Sequence, residues 1–322
     1  MPDHKIVKAE AWASAALGLL HRDIVLAGLV QRDTGANFTG AANDTLNIRR
    51  PSRLAAVNEA LRDMDESDYE IESESLNESS IAVTLDRHVY SAVDLSDAQL
   101  SLDIADFGAQ VLNPQARAVA TRLEFMVAEA MNGLDAEEIT VSGDDGVRNA
   151  IVKPRRKLNE NDVPNDGRVL VVGVDVEEKL LRDKHLTQVD QSGSDSALRN
   201  AEVARLLGFR IVVSNTVDAD RMVAFHPTAW TLVTRAPIVP ASVGDGRSES
   251  YEGFSLRAIR DYNSRVAQDR SLISTFAGLG EGTDRTVSYS KDGKPTISED
   301  YSMVRAVAAT ISEEEPEPDP SP

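Results

Sequence analysis

Hydrophobic residues recur at helical spacing in two registers between Asp103 and Leu134: Ile104, Phe107 and Val111 before Pro114, then Val119, Leu123, Met126 and Ala130 after it. The spacing predicts one unusually long helix. Asp103 can cap its start, Gly133 can close its end, and Pro114 should kink its axis because it removes a backbone donor. About thirty residues at ~1.5 Å each make a rod of roughly 45 Å, longer than the ~30 Å of a small domain. A rod of that length suits an extended plate, although periodicity alone equally allows an ordinary amphipathic core helix broken at Pro114.

Around that helix the pattern changes several times. Val7, Ala11, Ala15 and Leu19, four apart, predict a short helix over 6–20, and 24–30 is apolar. Polarity then rises from Gly35 to Asn43, which reads as an arm with too little apolar surface to order itself. Thr45 to Arg50 and Ile81 to Asp86 alternate with period two, so two strands flank a long charged excursion as an extended hairpin. Two strands alone are marginal in water, so a neighbouring surface, such as another subunit, is expected to hold them. After the long helix come a helix over Val147–Leu158, a buried strand over Arg168–Val174 and a short helix over Val176–Leu181. A polar loop leads to a helix over Ala197–Leu207, capped by Asp195 or Ser196 and stopped by Gly208, then strands at Phe209–Val213 and Met222–Phe225. This alternation describes an α/β lobe from 146 to 240. Strand-like residues return from Ser255 to Phe276, and Asp292-Gly293 marks a hairpin turn between Thr286–Tyr289 and Pro295–Ile297. Met303–Ile311 is a last apolar segment, and the acidic, proline-rich 312–322 reads as a disordered tail. No internal repeat of solenoid or propeller period is present.

The 322 residues are 41% hydrophobic, enough for a sizeable core, but only 5% aromatic, so packing must come mainly from Ala, Val, Leu and Ile. The absence of cysteine excludes disulfides, thiolate metal sites and cysteine nucleophiles. Ala11 to Leu20 imitates a secretory core, but acidic residues precede it and His21, Arg22 and Asp23 follow, so no signal peptide is expected. No run reaches the ~20 apolar residues of a membrane span. The glycosylation matches at Asn37, Asn43 and Asn77 therefore read as chance. A net charge of -19 repels polyphosphate and disfavours direct nucleic-acid binding. Nine acidic residues against the single Arg62 lie between Glu59 and Glu78, among them Asp63, Asp65, Glu66 and Asp68. Such a run is either a solvated loop or an arm that finds a basic partner surface.

No familiar catalytic constellation appears. His4, His21, His88, His185 and His226 sit in five different segments, none at the spacing of a metal-binding helix. Neither a nucleophile elbow nor a phosphate-binding loop is present. Gly278, Gly280 and Gly282 have the wrong spacing for a dinucleotide turn and read as loop flexibility, and Asp144 and Asp145 form a turn with only half the ligands of a calcium loop. Arg155, Arg156 and Lys157 are explained by a helix C-terminus. No metal or cofactor is expected, and weight shifts to a structural role.

The order arm, acidic hairpin, long helix, α/β lobe and returning strands resembles the major capsid (coat) protein family of tailed bacteriophages. The segments LGLLHRDIVLAGLVQRD at 17–33, GAANDTLNIRRP at 40–51, LDIADFGAQVLNPQARAVA at 102–120, and ARLLGFRIVVSNTV with FHPTAW within 204–230 are similar to its actinobacteriophage branch. The resemblance implies an α+β fold: an N-terminal arm (1–43), an E-loop hairpin (44–94), a peripheral domain with a spine helix (95–145 and 245–311) and an axial domain (146–244). It also implies hexamers and pentamers in an icosahedral shell that encloses double-stranded DNA without reading its sequence, assembled in the host cytoplasm with portal, scaffold and decoration proteins as partners. Arg49 and Arg50 at the hairpin base, with Asp63, Asp65, Glu66 and Asp68 at its tip, are the candidate contacts between subunits. The alternatives are an encapsulin-like compartment and an α/β enzyme with its site in 146–244.

Overall fold

A computed structural model describes residues 16–18, 20, 24–33, 45–50, 54–56, 79–99, 106–141, 146–182, 205–243, 245–289, 295–298 and 300–313. In chain order the strands are β1 (Gln31–Asp33), β2 (Thr45–Arg50), β3 (Ser79–Thr84), β4 (Arg87–Ser96), β5 (Ala136–Val141), β6 (Val169–Val172), β7 (Arg205–Leu206) and β8 (Phe209–Val213). They continue with β9 (Arg221–Phe225), β10 (Trp230–Arg235), β11 (Asp245–Tyr251), β12 (Phe254–Asn263), β13 (Gln268–Glu281), β14 (Val287–Tyr289), β15 (Pro295–Ile297) and β16 (Ala306–Glu313).

Two mixed sheets carry the body. The first runs β1-β10-β13-β12-β11, with β4 on the other side of β13, and the second runs β5-β16-β9-β6-β8-β7. The long helix, Asn113–Asn132, serves both. Val119, Ala120, Leu123, Val127, Ala128 and Met131 are at most 1% exposed. They belong to one cluster with Leu232, Leu256 and Ile273 of the first sheet and Val171, Val223 and Phe225 of the second. The opposite face of the second sheet makes a separate core, where Leu170, Val172 and Met222 meet Ile151, Leu158, Val176 and Leu180. Alternate residues of β6 thus enter different cores, which explains why its sequence is apolar without a break. Gln115, 2% exposed, pins the helix beneath the first sheet. Its Nε2 donates to the carbonyls of Ser91 (3.1 Å) and Ser271 (3.0 Å), and its Oε1 accepts from Ser271 Oγ (2.7 Å).

Several local expectations change. Before Pro114 the helix widens into a π-helical turn, Gly108–Leu112, so the irregularity caused by the missing proline donor is taken up there. Asp103 lies outside the described residues; Asp106 Oδ1 instead accepts from Ala109 N–H at 3.1 Å. Gly133 follows the last turn with ordinary right-handed angles. The single segment expected at 147–158 is two helices, Gly146–Ala150 and Val152–Glu160. Where a helix was expected to end at Leu207, β7 and β8 pair antiparallel, Leu206 with Phe209, around a two-residue turn. Leu207 and Gly208 there have φ of 48° and 83°, the signature of a tight hairpin rather than of a helix stop. Residues 183–204, which hold most of that expected helix, lie outside the described residues, as do 142–145, and the final strand extends to Glu313, past the expected start of the acidic tail.

Sheet membership also cuts across the expected chain boundaries. β4 joins the first sheet rather than the hairpin, β10 joins the first sheet from within 146–244, and β5 and β16 complete the second. The segment 16–33 is not a projection: Ala16, Leu17, Leu20, Leu26, Leu29 and Val30 are buried in the shared core, and β1 pairs parallel with β10.

Gln115→Leu should lower the unfolding free energy by about 2 kcal/mol, since it strands the Ser271 hydroxyl in the core. Chemical denaturation measures it, and a change below about 0.5 kcal/mol would mean that the polar pin does not hold the helix.

Candidate assembly surfaces

The hairpin root is formed by β2 and β3 in unbroken register, Thr45 opposite Thr84 through Arg50 opposite Ser79. Ile81 and Val83 are buried with Val233 of β10, and Leu46, Ile48 and Leu85 pack around them. This small core forms because β13 carries glycine where β3 crosses it. A Cβ on Gly278 would lie 2.1 Å from the Thr84 carbonyl oxygen, and one on Gly280 would lie 2.3 Å from Val83 Cγ2. The glycines expected to loosen a loop therefore sit in or beside a strand and let two backbones approach. Their spacing of two, inside an alternating pattern, was the readable signal. Arg49 is exposed on β2, opposite Ser80, and the backbone of Arg50 is opposite Ser79. Asp63, Asp65, Glu66 and Asp68 lie outside the described residues.

A second anchor was not legible. Glu124, on the long helix, accepts from the backbone N–H groups of Val25 (2.7 Å), Leu26 (2.7 Å) and Ala27 (3.1 Å) at the start of the single turn Leu26–Leu29. Burial pushes its carboxyl above the ordinary glutamate range, and the three N–H groups pull it partly back. A lone acid between Leu123 and Met126 was the only sequence cue.

The chain crosses between the sheets through 226–229 and 282–305. Phe225 and Trp230 flank the first crossing edge to face, their centroids 5.2 Å apart. Arg305 pairs with buried Asp284 and donates to the Thr228 hydroxyl at 2.5 Å, which lies 2.9 Å from His226 Nδ1. Nδ1 also accepts from the Thr228 backbone N–H at 3.4 Å, an arrangement that suits the neutral imidazole. Burial, then Arg305 and Arg168, depress His226 below its ordinary value of 6.5, and Asp166 opposes them.

The outer face of the first sheet carries exposed rings among the described residues. His88 lies against Tyr90 and Phe276 (centroids 5.2 and 5.0 Å), with Tyr90 62% exposed. Nearby, Ile238 is 85% exposed while its carbonyl is held by Arg257 at 2.8 Å. Among the described residues no group of three His, Asp or Glu side chains converges as a metal requires, and no helix is long and apolar enough to cross a membrane.

A family model described as phage capsid protein matches residues 77–273, more than half the chain. This chain belongs to the phage capsid protein family. A chain from Mycobacterium phage Che8, 22% identical, superposes with a TM-score of 0.58 over 89% of this chain and 90% of that one. The capsid of cyanophage P-SCSP1u, 12% identical, gives 0.58 over 89% and 87%. The mature capsid of bacteriophage PhiM1, 15% identical, gives 0.57 over 90% and 87%. No curated protein matches. The α+β fold is thus that of tailed-phage major capsid proteins, and the role of the chain is structural.

Two expectations follow for this capsid protein. Glu124→Ala, which removes the carboxylate that accepts three hydrogen bonds, should cost about 2–3 kcal/mol and make 24–33 more susceptible to limited proteolysis, measured against wild type. His226 has a depressed folded-state pKa, so its stabilising contribution is present above pH 6.5 and is lost as pH falls through the folded value. Melting temperature should therefore fall more steeply between pH 7 and 5 in wild type than in His226→Gln, which keeps an acceptor but does not titrate. Parallel curves would contradict the neutral-imidazole assignment.

Proposed function

We propose that copies of this chain close into the icosahedral shell that encloses a tailed phage's double-stranded DNA, as its major capsid protein. The family match carries the reading, since it runs from β3 through the long helix and strands of both sheets into β13. In this reading β2 and β3 are the root of the E-loop, the first sheet with the long helix is the peripheral domain, and the second sheet is the axial domain at capsomer centres. Hexamers and pentamers arise because a head-to-tail contact closes a ring when its rotation permits. Portal, scaffold and decoration proteins are further partners, and assembly takes place in the host cytoplasm. The net charge of -19 supports a wall along which packed DNA slides rather than sticks.

The hairpin root suits a lever that ends on a neighbour. It is fixed to its own body by the glycine crossing and the Ile81–Val83–Val233 core, so the segment beyond it contributes little to folding. Arg49 and Arg50 at that root are proposed to pair with acids of an adjacent subunit, a contact of ~0–1 kcal/mol per pair repeated across the shell.

Purified protein at high concentration should form capsomers or closed particles by negative-stain microscopy, and a permanent monomer would overturn the assignment. Deleting 60–77 should leave a soluble, folded subunit with assembly reduced at least tenfold; loss of folded protein would instead place that segment in the subunit's own core. Arg49→Glu with Arg50→Glu should lower particle yield severalfold with unchanged circular dichroism, and wild-type yield would retire the pairing.

A further inference from the structure

β4 has a partner on one side only. All ten residues pair with β13 without a bulge, from Arg87 opposite Ala277 to Ser96 opposite Gln268, and among the described residues no strand lies along the other edge. In an antiparallel ladder, alternate residues turn both backbone groups toward the partner and the others turn both away. Asp97 N–H continues the ladder by donating to the Ala267 carbonyl, which makes the odd-numbered residues those bonded to β13. Ser96 N–H accordingly faces away and is taken by Gln99 Oε1 at 3.0 Å. By the same alternation His88, Tyr90, Ala92 and Asp94 present their N–H and C=O groups to the open edge, where no described backbone group meets them. Their side chains stand exposed on the outer face.

Such an edge is a template for another strand, and natural proteins usually blunt it with proline, lysine or a bulge. β4 has none of these, and the charge of Asp94 is already matched by a bidentate contact with Arg270 at 2.6 and 2.9 Å.

We propose that β4 pairs antiparallel with β4 of a second copy, across a two-fold axis at Ser91. The proposal rests on the shell-forming reading and adds to it the strand through which two subunits join. A two-fold axis normal to the sheet brings together only residues of one face, so opposing residue numbers must share parity, and the outward backbone groups require the bonded pairs to be even-numbered. An axis at Ser91 meets both conditions. It sets His88 opposite Asp94 and Tyr90 opposite Ala92, each pair twice: an imidazole against a carboxylate and a large ring over a methyl group. An axis at Tyr90 would oppose Asp86 and Asp94, like charges, and one at Ala92 would leave His88 opposite Ser96 and Asp94 opposite Tyr90. Gln115, bonded to both Ser91 and Ser271, places the start of its helix under the β4–β13 seam. With strands ~4.8 Å apart, the axis brings two such helices to roughly 10 Å, the separation of packed helices.

The chain contains no cysteine, so single substitutions report single contacts. Ser91→Cys is nearly isosteric and meets its own copy at the axis as a non-bonded pair, with Cα atoms ~4.5 Å apart, within disulfide reach. Oxidised particles of full-length Ser91→Cys should run mostly as covalent dimers on non-reducing gels. Asp97→Cys, whose copies would lie roughly 40 Å apart, should not. Ala92→Pro removes an outward N–H without touching the ladder to β13 and should leave a folded subunit whose particle yield falls at least tenfold. Normal particles without a Ser91→Cys dimer, equal dimer from Asp97→Cys, or wild-type yield from Ala92→Pro would each overturn the pairing and leave the shell reading intact. If wild type formed no particle, the shell reading would fall, and the Ser91→Cys dimer scored on concentrated soluble protein would still decide the edge.

Discussion

One helix has to bury itself against two sheets at once, and the remaining architecture follows from that constraint. Asn113–Asn132 spans ~30 Å, enough for its first turns to lie under the first sheet and its last under the second. Small residues make this double contact tolerable: Ala116, Ala120 and Ala128 are almost fully buried, so strands can approach the helix on more than one side. Polar anchors then set the axial position that apolar packing alone leaves loose. Gln115 fixes one end to Ser91 and Ser271. At the other end Asn132 reaches the Thr216 carbonyl and accepts from Asp218 N–H, while Arg221 donates to the Leu134 carbonyl.

A core shared in this way makes one body rather than two independent lobes. The crossing at 226–229 is short, and it is tied to the longer one at 282–305 through the Arg305–Asp284 pair and the Thr228 hydroxyl. The cost is at the rim. Among the described residues the sheets end in strands with one unpaired side; the second sheet closes with a two-residue strand, β7, whereas β4 ends the first with ten residues. A protein whose working form is a closed surface can leave such rims open because neighbouring copies complete them.

Where periodicity was strong the sequence was readable. The helix at 119–130, β6, β8 and β9 stand where hydrophobic spacing put them, and the strand-like stretch 255–276 holds most of β12 and β13, although the turn between them was not read. β4 was harder. Val89, Val93 and Leu95 do alternate, but Tyr90 and Ala92 between them are also apolar and blunt the contrast. β7 lost to local propensity: ALRNAEVARLL is rich in helix formers, and only the backbone angles of Leu207 and Gly208 show that its end turns into a hairpin. Glu124, Gln115 and the His226–Arg305 network could not be found, since each is a single polar residue whose partners are distant in sequence. The glycine pair could have been, and was passed over because glycine was taken for looseness instead of close approach.

Charge and open edges complete one another. Exposed ion pairs such as Arg156–Glu160 and Arg182–Glu178 are internal and contribute ~0–1 kcal/mol each, so they neutralise locally and leave the acidic excess to act between copies. At physiological salt that repulsion decays over about 8 Å, well beyond the ~4.8 Å between paired strands. Approaching copies are therefore held apart until many backbone and apolar contacts can form together, and a poorly registered encounter dissociates. The same edge in a neutral chain would recruit any exposed strand. In this acidic one the proposed register, with His88 opposite Asp94, would set an imidazole rather than a second carboxylate against each Asp94, which is how ten residues of edge could discriminate among partners.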